Sequence, residues 1–423
     1  MVDMVPAVEI EARLRARTLP GLTGGGIVVP DYAEYSTCAI PGAVGHVLGL
    51  SLDERGPLTE AIAAAAARTG KRLLLLLIDG LGYLHLQELR ARYPDLFLSR
   101  WIERGALIPI TTTFPPTTVT ALSSLSTGLT PLSHGMLGYR LFLKETAGIT
   151  NMIRLSLLGN VRSDSALRAG IDLETFLGTP TFYQNLATNG VATHVVLARQ
   201  IARSGLSTLL YAGSAHIRPA AGFPDMLVAA RQILDRTPGD VLVTLYWGGV
   251  DGVAHHYGPF TEEADAEIRA ADDALRRAFE GREADTLLLI TADHGFVPMD
   301  ERDYIDVSED SDLMANLLLP PVGESRASYL YVKHGRKRAV TEHLVDRLGD
   351  RAVCIDAEQA LESGLFGSGP ENPQARDRIG DLVVVATDSV GLYYPYPDAA
   401  RLRGMHGGLT AREMIVPLIV SHV

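Results

Sequence analysis

Seven side chains in this sequence have the types and positions to do chemistry together: Asp79, Thr118, Asp251, His255, Asp293, His294 and His406. Six of them are carboxylates or imidazoles in glycine-rich turns: Asp79-Gly-Leu-Gly82, Gly249-Val-Asp251-Gly-Val-Ala-His255, Asp293-His294-Gly295 and Gly404-Met-His406-Gly. Three aspartates and three histidines make a ligand set for two divalent metals. Mixed imidazole and carboxylate donors suit zinc, with manganese or iron as alternatives. Asp251 and His255 are four apart, so one helical turn brings both to the same face. Asp293 and His294 are adjacent, which suits two neighbouring metals better than one. Two metals about 4 Å apart can bind opposite oxygens of a phosphoryl group and activate a nucleophile by coordination.

The nucleophile is sought in Phe114-Pro-Pro-Thr-Thr-Val-Thr-Ala-Leu-Ser-Ser-Leu-Ser-Thr-Gly128. Proline suits the entry to a helix and not its interior. The spacing therefore predicts a helix from Thr117 to Ser126, closed by Gly128 in the left-handed cap conformation. Thr117 and Thr118 stand at its N-terminus, where unpaired N–H groups and the macrodipole favour negative charge. A hydroxyl there is well placed to become an alkoxide beside a phosphate. One such threonine is ordinarily only an N-cap, one aspartate only a turn residue, and one histidine only structural. Their recurrence at equivalent places in the chain argues for a site.

Those places are set by an alternation of strands and helices. Lys71 to Ile78 is an apolar run that reads as a parallel strand buried on both faces, and Tyr83 to Tyr93 follows as a helix. Val241 to Trp247 and Thr286 to Thr291 are further strands, each followed by a motif, with an amphipathic helix from Thr261 to Gly281 between them. Thr261 caps that helix, and Glu262, Glu263 and Asp265 suit its first turn, so they receive no chemical role. Phe182–Thr188 and Asp225–Leu234 read as helices and His194–Leu197 as extended. The fold class is α/β with a mostly parallel central sheet flanked by helices, its ligands at the strands' C-terminal edge.

From 300 to 397 the rhythm breaks. Ala327–Val332 and Asp381–Ala386 look like strands and Val340–Leu348 like a helix, which reads as an inserted α+β cap. Residues 1–299 and 398–423 form the core, which ends in a strand at Met414–Val420. Tyr393, Tyr394 and Tyr396 either stack on a base or pack within their loop.

The formal net charge of −12 disfavours a nucleic-acid polymer as partner, although bound cations would let an anionic small molecule enter. Two cysteines, Cys38 and Cys354, make no disulfide framework. Cys38-Ala-Ile-Pro-Gly42 lacks the arginine and the proline position of a sulfatase Cys-x-Pro-x-Arg motif, and Cys38 reads as a small buried hydrophobe. Met1–Arg17 has no apolar leader region, and no apolar run is long enough for a membrane span. A cytoplasmic protein acting on a small molecule, with no membrane association, is expected.

The ordered set Ile78-Asp79-Gly80, Thr118, Thr127-Gly128-Leu129, Pro131, His134-Gly135, Asp251-x-x-x-His255, Gly258-Pro259, Asp293-His294-Gly295 and Gly404-Met-His406-Gly resembles the alkaline phosphatase superfamily. Within it the chain is most similar to the nucleotide pyrophosphatase/phosphodiesterase (type I phosphodiesterase) branch, over roughly residues 71–300 and 400–423. In that family the nucleophile lies nine residues before the Thr-Gly pair, which implies Thr118. The same resemblance implies one zinc held by Asp79, Thr118, Asp293 and His294, and another by Asp251, His255 and His406. It also implies a covalent phospho-threonine intermediate. His134 has no ligand role there, and His256 reads as a neighbour of a ligand. One position departs from the pattern. The family has asparagine four residues after His-Gly, where this chain has Tyr139, whose hydroxyl can donate the same kind of hydrogen bond to a phosphate oxygen. The implied activity is hydrolysis of a phosphodiester or pyrophosphate bond, most simply of a nucleotide-type substrate. The alternatives are a phosphonoacetate-type phosphonate hydrolase, a phosphomonoesterase, for which Arg140 is the candidate extra arginine, and a metal-binding protein without turnover.

Overall fold

Leu73 to Ile78 carries no polar side chain, and the strand it belongs to, Arg72–Ile78, sits at the middle of a seven-stranded sheet with both faces covered. The computed structural model describes residues 5–22, 26–50, 56–67, 69, 71–160, 162–282 and 285–423. Across the central sheet the order is Ala106–Thr111, Ile415–His422, Leu287–Thr291, Arg72–Ile78, Val241–Trp247, Ala192–Ala198 and His216–Ala220. The last five of these are parallel. Ile415–His422 runs antiparallel to both neighbours, so the sheet is mixed, with one reversed strand in an otherwise parallel array.

The strand register gathers the motifs. Leu77 pairs with Thr291 and Ile78 with Trp247, so Asp79, Asp293 and the turn leading to Asp251 leave the sheet side by side. Among the covering helices, Glu262–Phe279 buries Ala264, Ile268, Ala271, Leu275 and Ala278, an alternating four–three spacing that keeps one face on the core. Each fully buried leucine or isoleucine there contributes about 1.5–3 kcal/mol. Thr261 accepts the Ala264 amide as N-cap, and arginines fill the last turn. Asp265 turns inward instead, where it meets buried His85 and Arg92 in a structural cluster.

A second seven-stranded sheet is antiparallel throughout: Ala352–Asp356, Leu382–Ala386, Ala327–Leu330, Val322–Gly323, Arg140–Leu143, Gly148–Asn151 and Ser156–Leu157. Four of these strands come from within residues 300–397 and three from 140–157. Alternation along Leu382–Ala386 divides the packing. Val383 and Val385 face the main core, while Leu382, Val384 and Ala386 face a smaller core with Leu330, Val340, Leu344 and Leu348. A strand buried on both faces needs an unbroken apolar run, and Leu-Val-Val-Val-Ala is one.

One ion pair ties the two sheets together. Arg326, just before the Ala327–Leu330 strand, donates from Nε and Nη2 to the two carboxylate oxygens of Glu413 at 2.7 and 2.8 Å, and both side chains are wholly buried. Its Nη1 donates to the carbonyls of Asp388 and Val390. Glu413, in the short helix before the last core strand, also accepts the Gly408 amide and the Thr410 hydroxyl. Removal of one partner strands a charge in a dry interior. Arg326→Met should therefore cost about 3–5 kcal/mol of unfolding free energy in denaturant titration. The double variant Arg326→Met/Glu413→Met should lose less than the sum of the two single changes, and strict additivity would argue against the pairing.

Candidate active site

Asp79 follows the central strand directly, and its backbone amide continues the ladder onto the Trp247 carbonyl. Gly80 then takes φ +78°, and a Cβ there would press on the Phe296 ring. Asp251 and His255 lie on the helix Gly249–Tyr257, one turn apart as their spacing requires. Gly295 lets the Asp293-His294 turn lie against backbone. A Cβ at Gly295 would sit 2.1 Å from the Arg412 carbonyl oxygen and 2.9 Å from the Gly82 Cα. Thr118 opens the helix Thr118–Thr127, with Thr117 as N-cap and Gly128 in the left-handed conformation at its end.

Two sets of three donors result, Asp79 with Asp293 and His294, and Asp251 with His255 and His406, each set having one ligand atom per residue within 4.8 Å of the others. His294 lies between the sets. Its Nε2 is 3.4 Å from Asp79 Oδ1, 3.6 Å from Asp293 Oδ2 and 4.0 Å from Asp251 Oδ1. The Thr118 hydroxyl stands 3.3 Å from the same nitrogen. The His294 and His406 rings stack at 3.6 Å, and His255 Nε2 is 3.4 Å from Asp251 Oδ1.

The histidine tautomers follow from their backbone partners. His255, His294 and His406 each have Nδ1 against a carbonyl oxygen, of Gly404, Gly295 and Pro116 respectively. A carbonyl only accepts, so Nδ1 carries the proton in each ring, and in His294 and His406, which burial holds neutral, Nε2 is left with a lone pair. Burial, reinforced by His255, pushes His294 down to about 3, and burial and the other two imidazoles hold His406 well below its ordinary range. Burial and the charges of Asp251 and Asp293 lift Asp79 far above the usual carboxylate range, and burial lifts Asp251 to about 6 against the pull of His255.

Whether divalent cations suit this arrangement is answered by its unpaired atoms. Asp79 Oδ1, Asp251 Oδ1 and Asp293 Oδ2 are buried without a hydrogen-bond partner, and His294 turns its Nε2 lone pair toward all three. Lone pair against carboxylate is repulsive, and a buried unsatisfied acceptor costs about 1–3 kcal/mol. Neutral imidazoles and carboxylates are also the donor states that a metal requires. The residues fit two cations.

Several residues at the site carry no motif signal. Tyr246, in the Val241–Trp247 strand, donates its hydroxyl to Asp79 Oδ2 and so orients that carboxylate. A tyrosine near the end of a buried apolar strand was the available clue. Glu324, Asn151 and Asp398 come from the second sheet and its flanking loop, and only folding brings them near. Glu324 accepts the Tyr139 amide at 2.8 Å, and burial pushes its carboxyl up to about 7. The Tyr139 hydroxyl accepts from Asn151 Nδ2 at 2.8 Å and donates to Asp398 Oδ2 at 3.3 Å. Thr118, Tyr139, Asp251, His255 and His406 line one cavity of about 390 Å³, and Tyr393, Tyr394 and Tyr396 line it too. His134 is buried away from the donors, hydrogen-bonded to Ser124, and His256 is exposed.

Occupation of these sites should be visible in stability. Zinc at about a hundred times its dissociation constant should raise the unfolding free energy by about 2.7 kcal/mol per site, seen as a higher Tm that a chelator reverses. Asp79→Asn should remove part of that increment, and a Tm indifferent to metal would exclude the centre.

Solved structures share this fold. The murine ectonucleotide pyrophosphatase/phosphodiesterase 5, inactive and in complex with AMP, superposes with a TM-score of 0.64 at 16% identity, covering 83% of this chain and 88% of that one. Its human counterpart gives 0.62 at 17% identity over 83% and 87%. The phosphonoacetate hydrolase from Sinorhizobium meliloti 1021, in complex with phosphonoacetate, gives 0.61 at 22% identity over 82% and 89%. No curated protein matches by sequence. Residues 73–409 match the family described as type I phosphodiesterase/nucleotide pyrophosphatase, a span that contains both donor sets and Thr118. The chain belongs to the type I phosphodiesterase/nucleotide pyrophosphatase family.

Proposed function

We propose that this chain hydrolyses a phosphodiester or pyrophosphate bond of a small, nucleotide-type molecule, with Thr118 as nucleophile and a phospho-threonine intermediate. Membership of the family makes it a phosphoryl-transferring hydrolase. The observation that carries the finer reading is the Thr118 hydroxyl, at a helix N-terminus and 3.3 Å from His294 Nε2, on the cavity shared by Asp251, His255 and His406.

Asp79, Asp293, His294 and Thr118 would hold one divalent cation, and Asp251, His255 and His406 the other, most simply zinc. When bound, such a pair neutralises phosphoryl oxygens and makes a hydroxyl more acidic. The chain's own groups supply the remainder. The helix N-terminus stabilises the Thr118 alkoxide and the phosphoryl group that joins it. Thr118 Oγ1 forms a bond to phosphorus while the bond to the leaving oxygen breaks, and the leaving oxygen takes a proton from solvent. Water then cleaves the phospho-threonine, returning the hydroxyl and releasing a phosphate monoester. Tyr246 fixes the Asp79 carboxylate, and the Nδ1–carbonyl bonds fix the three rings, so the donors are set before substrate enters. Tyr139 is the proposed contact to a phosphate oxygen: Asn151 holds its hydroxyl oxygen, and the single proton it now gives to Asp398 at 3.3 Å would turn to the phosphate.

We assign residues 1–299 and 398–423 to the catalytic core and 300–397 to a cap whose sheet is completed by strands from 140–157. The cap lines the cavity beside the core residues, which suits a role in choosing the leaving group. The AMP and phosphonoacetate complexes of the structural neighbours support a small-molecule substrate. No helix among the described residues is long and apolar enough to cross a membrane. Both cysteines are unpaired, which supports a cytoplasmic location.

Thr118→Ala should lower kcat on bis-p-nitrophenyl phosphate on the order of 10³-fold or more while the protein still takes up two zincs. Acid quenching of the wild type during turnover should trap phosphate on the peptide that contains Thr118, seen by mass spectrometry. Undiminished turnover in Thr118→Ala would remove Thr118 from the reaction. Faster hydrolysis of p-nitrophenyl phosphate than of the diester would move the enzyme to the monoesterases.

A further inference from the structure

Arg140 is the single lysine or arginine among the described residues that line the catalytic cavity, which otherwise presents Asp251, Glu324 and Asp398. We propose that Arg140 receives a second acidic group of the substrate, a phosphate or carboxylate distinct from the phosphoryl group that reacts at Thr118. The inference rests on the proposed hydrolase reading and narrows it to substrates with two anionic groups.

The guanidinium is built in and underused. Arg140 opens the Arg140–Leu143 strand, paired with Gly323 on one side and Asn151 on the other, so its backbone is fixed in the second sheet. Its side chain is only 14% exposed, with the guanidinium carbon 4.5 Å from the centre of the Tyr139 ring and 5.0 Å from that of Tyr396. Against those rings the bonding edge is what a ligand would meet. Among the described residues, Nη2 alone of its three nitrogens has a protein acceptor, Asp398 Oδ1 at 2.8 Å. Nε is buried with no partner, and Nη1 has none among the described residues. Asp398 is itself shared, since its Oδ2 accepts from Asn151 and from Tyr139. A planar fork with unused donors, held between aromatic rings, matches the two oxygens of a carboxylate or phosphate.

The chemistry then sorts substrates. A simple diester has one negative charge, at the reacting phosphorus, and gives Arg140 nothing to bind. A pyrophosphate diester carries a second phosphate, and a phosphonocarboxylate carries a carboxylate. Either could meet Arg140 while its other acidic group lies at Thr118.

The test compares zinc-loaded wild type, Arg140→Met and Arg140→Lys on UDP-glucose, phosphonoacetate and bis-p-nitrophenyl phosphate. The methionine keeps the stem that packs against the rings, and circular dichroism and Tm verify the fold. The quantity read is the ratio of kcat/KM for each two-anion substrate to that for the one-anion diester. Arg140→Met should lower this ratio about tenfold or more, mainly through KM, the size of one charge-assisted hydrogen bond. Arg140→Lys should restore part of it. A loss confined to UDP-glucose identifies the second group as phosphate, and one confined to phosphonoacetate identifies it as carboxylate. An unchanged ratio in Arg140→Met, whatever the absolute rates, overturns the inference. Absence of turnover of all three by the wild type would refute the hydrolase reading instead. Calorimetric binding of inorganic pyrophosphate to the zinc-loaded proteins then decides on Arg140, with affinity about tenfold weaker in Arg140→Met expected and equal affinity contradicting it.

Discussion

Three aspartates share one edge of a dry sheet, and the rest of the site is arranged around their mutual repulsion. Asp79, Asp251 and Asp293 each keep an oxygen with no hydrogen-bond partner, and each is driven toward its protonated form by burial. Carboxylates this close do not persist without a counter-charge. The protein supplies none of its own. No lysine or arginine pairs with these three among the described residues, and the imidazole that lies among all of them, His294, is held neutral by burial. The unmet requirement for positive charge is what the arrangement offers to metal ions.

Everything nearby serves to hold that unfavourable geometry. The parallel register delivers Asp79 and Asp293 side by side, and the following helix presents Asp251 and His255 on one face. Tyr246 anchors one carboxylate, and backbone carbonyls anchor the rings. Gly295 permits a backbone approach that no other residue would allow. The loop with His406 is braced by Glu413, which in turn is locked to Arg326 of the second sheet. The loop that carries His406 and the second sheet are therefore joined through one buried ion pair.

The cavity between them combines two kinds of chemistry. Thr118, Asp251, His255 and His406 line it from the first sheet's side, while Arg140, Glu324 and the tyrosines of 393–396 come from the second sheet and its connections.

How far the sequence reaches is decided by the range of the interactions concerned. Local patterns carried the catalytic edge. The apolar run before Asp79, the four-residue spacing of Asp251 and His255, the Pro-Pro entry and Gly128 exit of the Thr118 helix, and the Thr261 cap all follow from neighbours within one turn or one strand. The reversed direction of Ile415–His422 was not legible, because an apolar run reads the same in either direction. Nor was the recruitment of 140–157 into the cap's sheet, since strand pairing is chosen by partners more than 150 residues away, such as Gly323 opposite Arg140. Tyr139 shows the boundary most clearly. Its distance from His134-Gly135 raised the expectation of a phosphate contact, but its bonds to Asn151 and Asp398 and its contact with Arg140 exist only in the folded chain. The sequence alone determined the types of the clustered donors and the α/β class, because each is written in contiguous residues, and it offered Thr118 as the expected nucleophile. Only the tertiary structure decided which carboxylates lack partners, which tyrosine holds Asp79 and which cation lines the cavity, because burial and long-range contact create those properties.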